Sequence, residues 1–189
     1  GDRSFNDGTW EGIQMAIREL DGVEGDVFVS KEQTDYLQNL TKAAEQADVV
    51  IVVGFLMSDI LFNVAAQYPD TYFIGIDIEP SPGQNVPPNL ALYTFKEEEG
   101  GFLLGYIAAS MSKTNTVGFI GGLEVPPVKR YEIGYRTGIK AYNQIKNASV
   151  ECITGYVGSF TDASKTKQIA LSQYERGADI IFTGVTTGA

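Results

Sequence analysis

Three kinds of residue in this chain stand where their chemistry needs a reason. Asp77 directly ends an apolar run, Phe73-Ile74-Gly75-Ile76. A carboxylate in that position is costly unless it meets water or a partner. It either closes a strand in solvent or accepts hydrogen bonds from the hydroxyl or amine groups of a ligand. Phe5 sits among Asp2, Ser4, Asn6 and Asp7, ahead of an amphipathic segment. It is either a hydrophobic staple for that segment or a stacking platform for a flat ligand. Asn6 beside it can donate and accept through one amide. Phe182 lies near the end of the run Asp179–Thr183, where it either packs in a core or offers a second aromatic face.

The rest of the composition narrows the chemistry. The 189 residues carry 14 Lys and Arg against 24 Asp and Glu, a net charge of −10. Nucleic acid is a poor partner for such a surface, because its binding relies on Lys and Arg against phosphates. With no His, the Ser-His-Asp and Cys-His arrangements are out of reach. One Cys excludes internal disulfides and Cys-rich zinc sites, leaving only an all-carboxylate site for a hard metal. Cys152 lies in the strand-like run Val150–Tyr156 and is expected to be a buried small hydrophobe. Neither GxGxxG nor GxxxxGK[ST] occurs. Gly118-Phe119-Ile120-Gly121-Gly122 is glycine-rich, but its first Gly lies inside a strand pattern and tight-turn geometry is the expectation. Glu97-Glu98-Glu99 is expected to be structural, a charge run where a helix N-terminus favours it. The longest uncharged stretches around an apolar core, 49–58 and 100–112, fall short of the ~20 residues a bilayer helix needs. The opening Gly1-Asp2-Arg3-Ser4-Phe5 is already folded-domain text without a signal peptide, so a segment upstream is expected.

The positioning elements alternate between helix and strand. Trp10, Ile13, Ile17 and Leu20 share one face of a helix over Asp7–Leu20. Asp26–Ser30 is a short strand candidate. Thr34 precedes a second helix with Leu37, Leu40, Ala44 and Ala47 inward. The five β-branched residues Val49–Val53 predict a strand buried on both faces, as in parallel sheets. Ser58 opens a third helix that stops before Tyr68-Pro69. Tyr72–Ile76 and Leu90–Phe95 read as strands. Glu97–Ser112 is apolar nearly all round, which predicts a buried helix between layers or lobes. Strand Val117–Ile120, a helix through Val128, Tyr131, Tyr135 and Tyr142, strand Val150–Val157, helix Thr161–Arg176 and strand Asp179–Thr183 complete the series. Such alternation predicts an α/β protein with parallel sheets and right-handed crossovers.

The series also echoes itself. Val27-Phe28-Val29, Thr34-Asp35 and Ala47-Asp48-Val49 are answered by Gly155-Tyr156-Val157, Thr161-Asp162 and Ala178-Asp179-Ile180. Either any two strand–helix–strand units would share this, or the chain holds two similar lobes. On the second reading, residues 1–113 form an N-terminal lobe that includes a crossing helix, and residues 114–189 an incomplete C-terminal lobe. Open α/β sheets bind ligands beyond the C-terminal ends of their strands, which directs attention to the loops there.

These residues together resemble the basic membrane protein family of ABC-transporter substrate-binding lipoproteins, the purine nucleoside receptor A group. The matching text is Asp2-Arg3-Ser4-Phe5-Asn6, Trp10-Glu11-Gly12, Gly54-Phe55-Leu56, Tyr68-Pro69-Asp70 and Thr94-Phe95-Lys96-Glu97-Glu98-Glu99-Gly100. It continues through Gly118–Gly122, Gly134-Tyr135-Arg136-x-Gly138, Tyr156-Val157-Gly158-Ser159-Phe160 and Gly177–Phe182. The ordered series spans the whole chain. The resemblance implies a type I periplasmic-binding-protein fold: two Rossmann-like lobes with parallel sheets, a hinge, and a nucleoside in the cleft. It implies that Phe5 and Asn6, Asp77 and Phe182 contact ligand. It also implies that the first strand and its Asp lie before Gly1, and that a further Asp and a ribose Lys lie after Ala189. The family's Ile-Asp-Asp reads Ile76-Asp77-Ile78 here, so the second carboxylate is lost or displaced to Glu79.

The expectation is a solute-binding component of an ABC importer, extracytoplasmic and held at the membrane by an upstream lipid anchor. It performs no chemistry and needs no cofactor or metal. Its partners are a small molecule, expected to be a nucleoside, and the permease subunits, with no nucleic acid. A neutral polyhydroxylated molecule with a flat base wants aromatic faces and acceptor oxygens, whereas a nucleotide would want cations or helix N-termini. The alternatives are a sensor or regulatory module of the same fold and a carboxylate-dependent nucleoside-modifying enzyme.

Overall fold

The computed structural model describes residues 5–185. They form two compact units, the first ending at Phe95 and the second beginning at Lys96. The first contains α1 (Phe5–Glu19), α2 (Tyr36–Gln46), β1 (Val49–Val53), α3 (Ser58–Gln67), β2 (Tyr72–Ile76) and β3 (Leu90–Tyr93). Its sheet runs β1-β2-β3, all parallel, with Ile51 beside Ile74 and Ile74 beside Ala91. Val50, Val52 and Phe73 meet Leu40, Ala43 and Ala44 of α2 and Leu61, Phe62, Val64 and Ala65 of α3. Burial on both faces of β1 was expected; instead Val50 and Val52 are buried while Val49 and Ile51 on the opposite face stay exposed. Asn89 Nδ2 donates to the carbonyls of Ala65, Tyr68 and Thr71 at 2.8–3.0 Å. Those carbonyls belong to the end of α3 and the turn after it, so the buried amide supplies partners that the helix itself cannot.

The run Asp26–Ser30 forms no strand. A strand is defined by its ladder, and among the described residues none pairs with it; Val27 and Val29 are exposed. The echo noted in the sequence is therefore complete only in the second half.

The second unit contains α4 (Glu97–Met111), β4 (Thr116–Gly121), α5 (Pro126–Lys146), β5 (Glu151–Tyr156), α6 (Ala163–Glu175) and β6 (Ile180–Gly184). Its sheet is again parallel, in the order β5-β4-β6, with Phe119 between Thr154 and Phe182. The helix α4 departs from expectation in two ways. It belongs to this unit, where the sequence had placed it with residues 1–113. Its buried side is also not its large side chains but Glu97, Gly101, Gly105, Ala108 and Ala109, while Leu103 (62%) and Met111 (65%) are exposed. The reason is backbone contact with α5. A Cβ on Gly105 would fall 2.7 Å from the Tyr135 carbonyl carbon, and one on Gly138 would fall 2.7 Å from the Tyr106 nitrogen. Two helices this close exclude side chains from the seam. The buried Glu97 carboxylate locks the start of the seam by accepting from Arg130 Nε at 2.6 Å. Asp179 ties the other end of α4, accepting from Ser112 Oγ at 2.8 Å and the Lys113 amide at 2.6 Å.

Candidate ligand-binding edge

Parallel strands end together, so the loops after β1, β2 and β3 gather at one edge of the first sheet. Gly54 follows β1 at φ 97°, a conformation that a side chain would strain, and its amide bonds the Ile76 carbonyl at 2.9 Å. The chain then turns through Phe55–Met57 into α3, whose Ser58 Oγ donates to the Glu79 carbonyl at 3.4 Å. Asp77 follows β2 at φ 58°. Few non-glycine residues hold such a backbone, Asp and Asn being the most tolerant, and holding it costs of order 1–3 kcal/mol. Two neighbours hold it here. The Asp77 amide donates to the Tyr93 carbonyl at 2.8 Å, and the next side chain, Ile78, is fully buried.

Two residues beyond Tyr93, the Phe95 ring meets the Phe5 ring with centroids 5.6 Å apart and planes at 56°. The two residues stay 44% (Phe5) and 49% (Phe95) exposed. Phe5 is the first residue of α1 and Asn6 the second, so the ring that touches Phe5 belongs to the β3 edge, 90 positions on, rather than to α1. Asp77, through Tyr93, and Phe5, through Phe95, are thus tied to the same strand end. The sequence pattern reads Phe95 as the last residue of a strand over 90–95 and not as a site residue; the strand stops at Tyr93, which leaves Phe95 in the loop beyond it. Asp2 lies outside the described residues.

The corresponding edge of the second sheet is furnished differently. Phe182 packs its ring against Phe119, Tyr131 and Tyr135 at 5.6–5.8 Å. It is part-buried in the aromatic layer between β4 and α5. The aromatic that lies over the strand ends is Phe160, in the loop after β5, whose ring occupies the space a Gly122 side chain would need. The glycines of 118–122 therefore serve close packing, not the expected tight turn: none has positive φ, Gly118 abuts Gln173, and Gly121 lies beneath Tyr156.

Beside Phe160 the sequence pattern had not revealed a charged lattice. Lys129 Nζ lies 2.8 Å from Glu124, 3.5 Å from Glu132 and 4.4 Å from the Tyr156 ring centroid. Tyr156 Oη donates to Glu132 at 2.5 Å, and Arg136 Nε donates to the same carboxylate at 3.0 Å. Burial pushes Tyr156 up to about 12, aided by the Glu132 carboxylate. Burial would also raise Glu132, but the Tyr156 and Arg136 hydrogen bonds and the charge of Lys129 outweigh it and hold Glu132 below the usual glutamate range. The spacing Lys129, Glu132, Arg136 on one helical face was the legible part; the strand partner Tyr156 was not. The Cys152 thiol, part-buried, is raised first by burial. Among the described residues no group of three or more acidic, Cys or His side chains is placed to hold a metal, and no helix is long and apolar enough to cross a membrane.

The edge of the first sheet therefore offers two half-exposed aromatic residues and a carboxylate set by an uncommon backbone, groups able to hold a small molecule. The model for PnrA-like ABC transporter substrate-binding proteins matches residues 1–189. The ABC transporter nucleoside-binding protein BmpA of Lactococcus lactis is 34% identical over 99% of this chain and 53% of its own. An uncharacterized lipoprotein of Pyrococcus furiosus is 33% identical over 96% of this chain and 46% of its own. A crystal structure of an ABC transporter solute-binding protein from Aeropyrum pernix K1 superposes with TM-score 0.84 at 29% identity, covering 100% of this chain and 52% of that one. The chain thus spans about half the length of these relatives. Its two parallel sheets are those of the type I periplasmic-binding-protein fold. The chain belongs to the PnrA-like family of ABC transporter substrate-binding proteins.

Proposed function

We propose that the complete protein is the extracytoplasmic solute-binding component of an ABC importer and that it takes a purine-type nucleoside. The observation that carries this reading is the first sheet's edge, where the half-exposed Phe5–Phe95 pair and Asp77 are tied to one strand end. Phe5 stacks on the base, Asn6 bonds its polar edge, and Asp77 accepts from sugar hydroxyls. Phe182, a part-buried residue of β6, belongs to the reading as the second aromatic. The fold alone does not choose between transport and sensing; the family match and the name of the Lactococcus relative support transport. The partners are the permease subunits, signalled by hinge closure, and a lipid anchor holds the protein at the membrane, in keeping with the name of the Pyrococcus relative. Nothing is turned over.

Calorimetry of the complete protein against nucleosides, free bases, ribose and nucleotides tests this. Nucleosides are expected to bind tightest. Phe5→Ala should weaken them by about 1–3 kcal/mol, the range for aromatic–base stacking. Asp77→Asn should harm nucleosides more than free bases. Tighter binding of a plain sugar, or release of free base during incubation, would overturn the reading.

A further inference from the structure

We propose that Phe95 is the positioning residue for the ligand-stacking ring of Phe5, and that through it ligand binding is felt by the segment joining the two units. The inference rests on the reading of Phe5 given above. The Phe5 ring stands at the first residue of α1, a helix with no buried residue of its own. Its aromatic neighbour is Phe95, 5.6 Å away. Phe95 is itself held on both sides. Two residues before it, Tyr93 ends the β3 ladder and accepts from Asp77; two residues after it, Glu97 begins α4 and is buried against Arg130. The link Thr94-Phe95-Lys96 thus joins the β3 end of one unit to the α4 start of the other, and the unit boundary falls within it. The rings meet at a 56° tilt and both residues stay about half exposed, so part of Phe5 remains available while Phe95 lies against it. A planar molecule on that part restricts Phe5, and Phe5 in turn restricts Phe95.

The test is a double-mutant cycle on the complete protein with inosine and guanosine as probes, read by calorimetry. Phe5→Ala and Phe95→Ala should each weaken binding by about fivefold or more, and the double variant should be no worse than Phe5→Ala alone within about twofold. Phe95→Tyr should restore near-wild-type affinity. Backbone hydrogen exchange at Thr94–Lys96 should slow on adding inosine, and should not slow in Phe5→Ala even at saturation. A purely structural Phe95 would lower thermal stability without that coupling. Unchanged affinity in Phe95→Ala, or losses that multiply in the double variant, would overturn the inference alone. Unchanged affinity in Phe5→Ala would overturn the stacking role of Phe5 and the inference with it.

Discussion

At the C-terminal edge of the first sheet, Phe5 and Phe95 stay about half exposed, and Asp77 is bonded to the end of the same strand. In the second sheet, Phe182 turns into a layer of rings with Phe119, Tyr131 and Tyr135. Both regions place aromatics at strand ends, Phe95 just beyond β3 and Phe182 within β6. What separates them is the element on the other side. In the second unit α4 and α5 lie against each other at backbone distance and α5 brings two tyrosines over the sheet. In the first unit α1 buries none of its residues. A strand-end aromatic is absorbed into a core where a helix is pressed onto it and stays available where none is.

The largest effect expected from this contrast lies at the α4–α5 seam. Glu97→Ala leaves the Arg130 guanidinium part-buried without its carboxylate and should cost about 3 kcal/mol in urea unfolding. Replacing the exposed neighbour Glu99, which forms a surface pair with Lys96, should change nothing measurable. Equal effects would mean that the seam is not where this unit's stability sits. The second test separates the aromatics. Phe182→Ala should lower stability by about 3 kcal/mol, the usual cost of deleting a packed ring, whereas Phe5→Ala should lower nucleoside affinity and barely move the unfolding midpoint. A Phe182→Ala variant that keeps its stability and loses affinity would reverse the contrast.

A smaller effect concerns pH. Glu132 titrates lower in the folded protein than its ordinary value of about 4.3. Its contribution is therefore complete above about pH 4.3 and is lost as pH falls through the depressed value. Glu132→Gln should flatten that acid limb of the melting curve. Tyr156, raised to about 12, contributes below its ordinary value of about 10 and loses that contribution as pH climbs toward 12. An acid limb unchanged in Glu132→Gln would remove the lattice from the stability of this edge. The smallest effect is at Tyr135, whose buried hydroxyl has no hydrogen-bond partner among the described residues and whose ionisation burial pushes upward. Tyr135→Phe should be neutral or stabilising by about 0.5–1 kcal/mol, checked by thermal unfolding.

Much of the fold was legible. The β-branched run at 49–53, the stop before Tyr68-Pro69 and the acidic start of α4 all mark elements the structure contains. Asp77 was legible because a charge closing an apolar run is conspicuous on its own; its positive φ and its bond to Tyr93 were not. Asp26–Ser30 was misjudged because strand propensity needs a neighbour to become a ladder. The face of α4 was misjudged because its glycines and alanines, not its leucines, met another helix. Phe160 and Phe95 stood out only within the family motifs, Phe95 as the end of a strand over 90–95, because nothing local says which distant ring or glycine each will meet.

Local pattern alone determined the helix–strand alternation, the parallel sheets, the absence of His and disulfide chemistry, and the ordered motifs that place the chain in its family. Those depend on residue type and near-neighbour spacing, which a chain carries wherever it goes. Only the tertiary structure decided that α4 packs within the second unit, that Phe182 meets the rings of Phe119, Tyr131 and Tyr135, and that the Phe95 ring meets that of Phe5. Each of these depends on two segments distant in the chain meeting at one place, and hydrophobicity does not specify which partner a side chain will find.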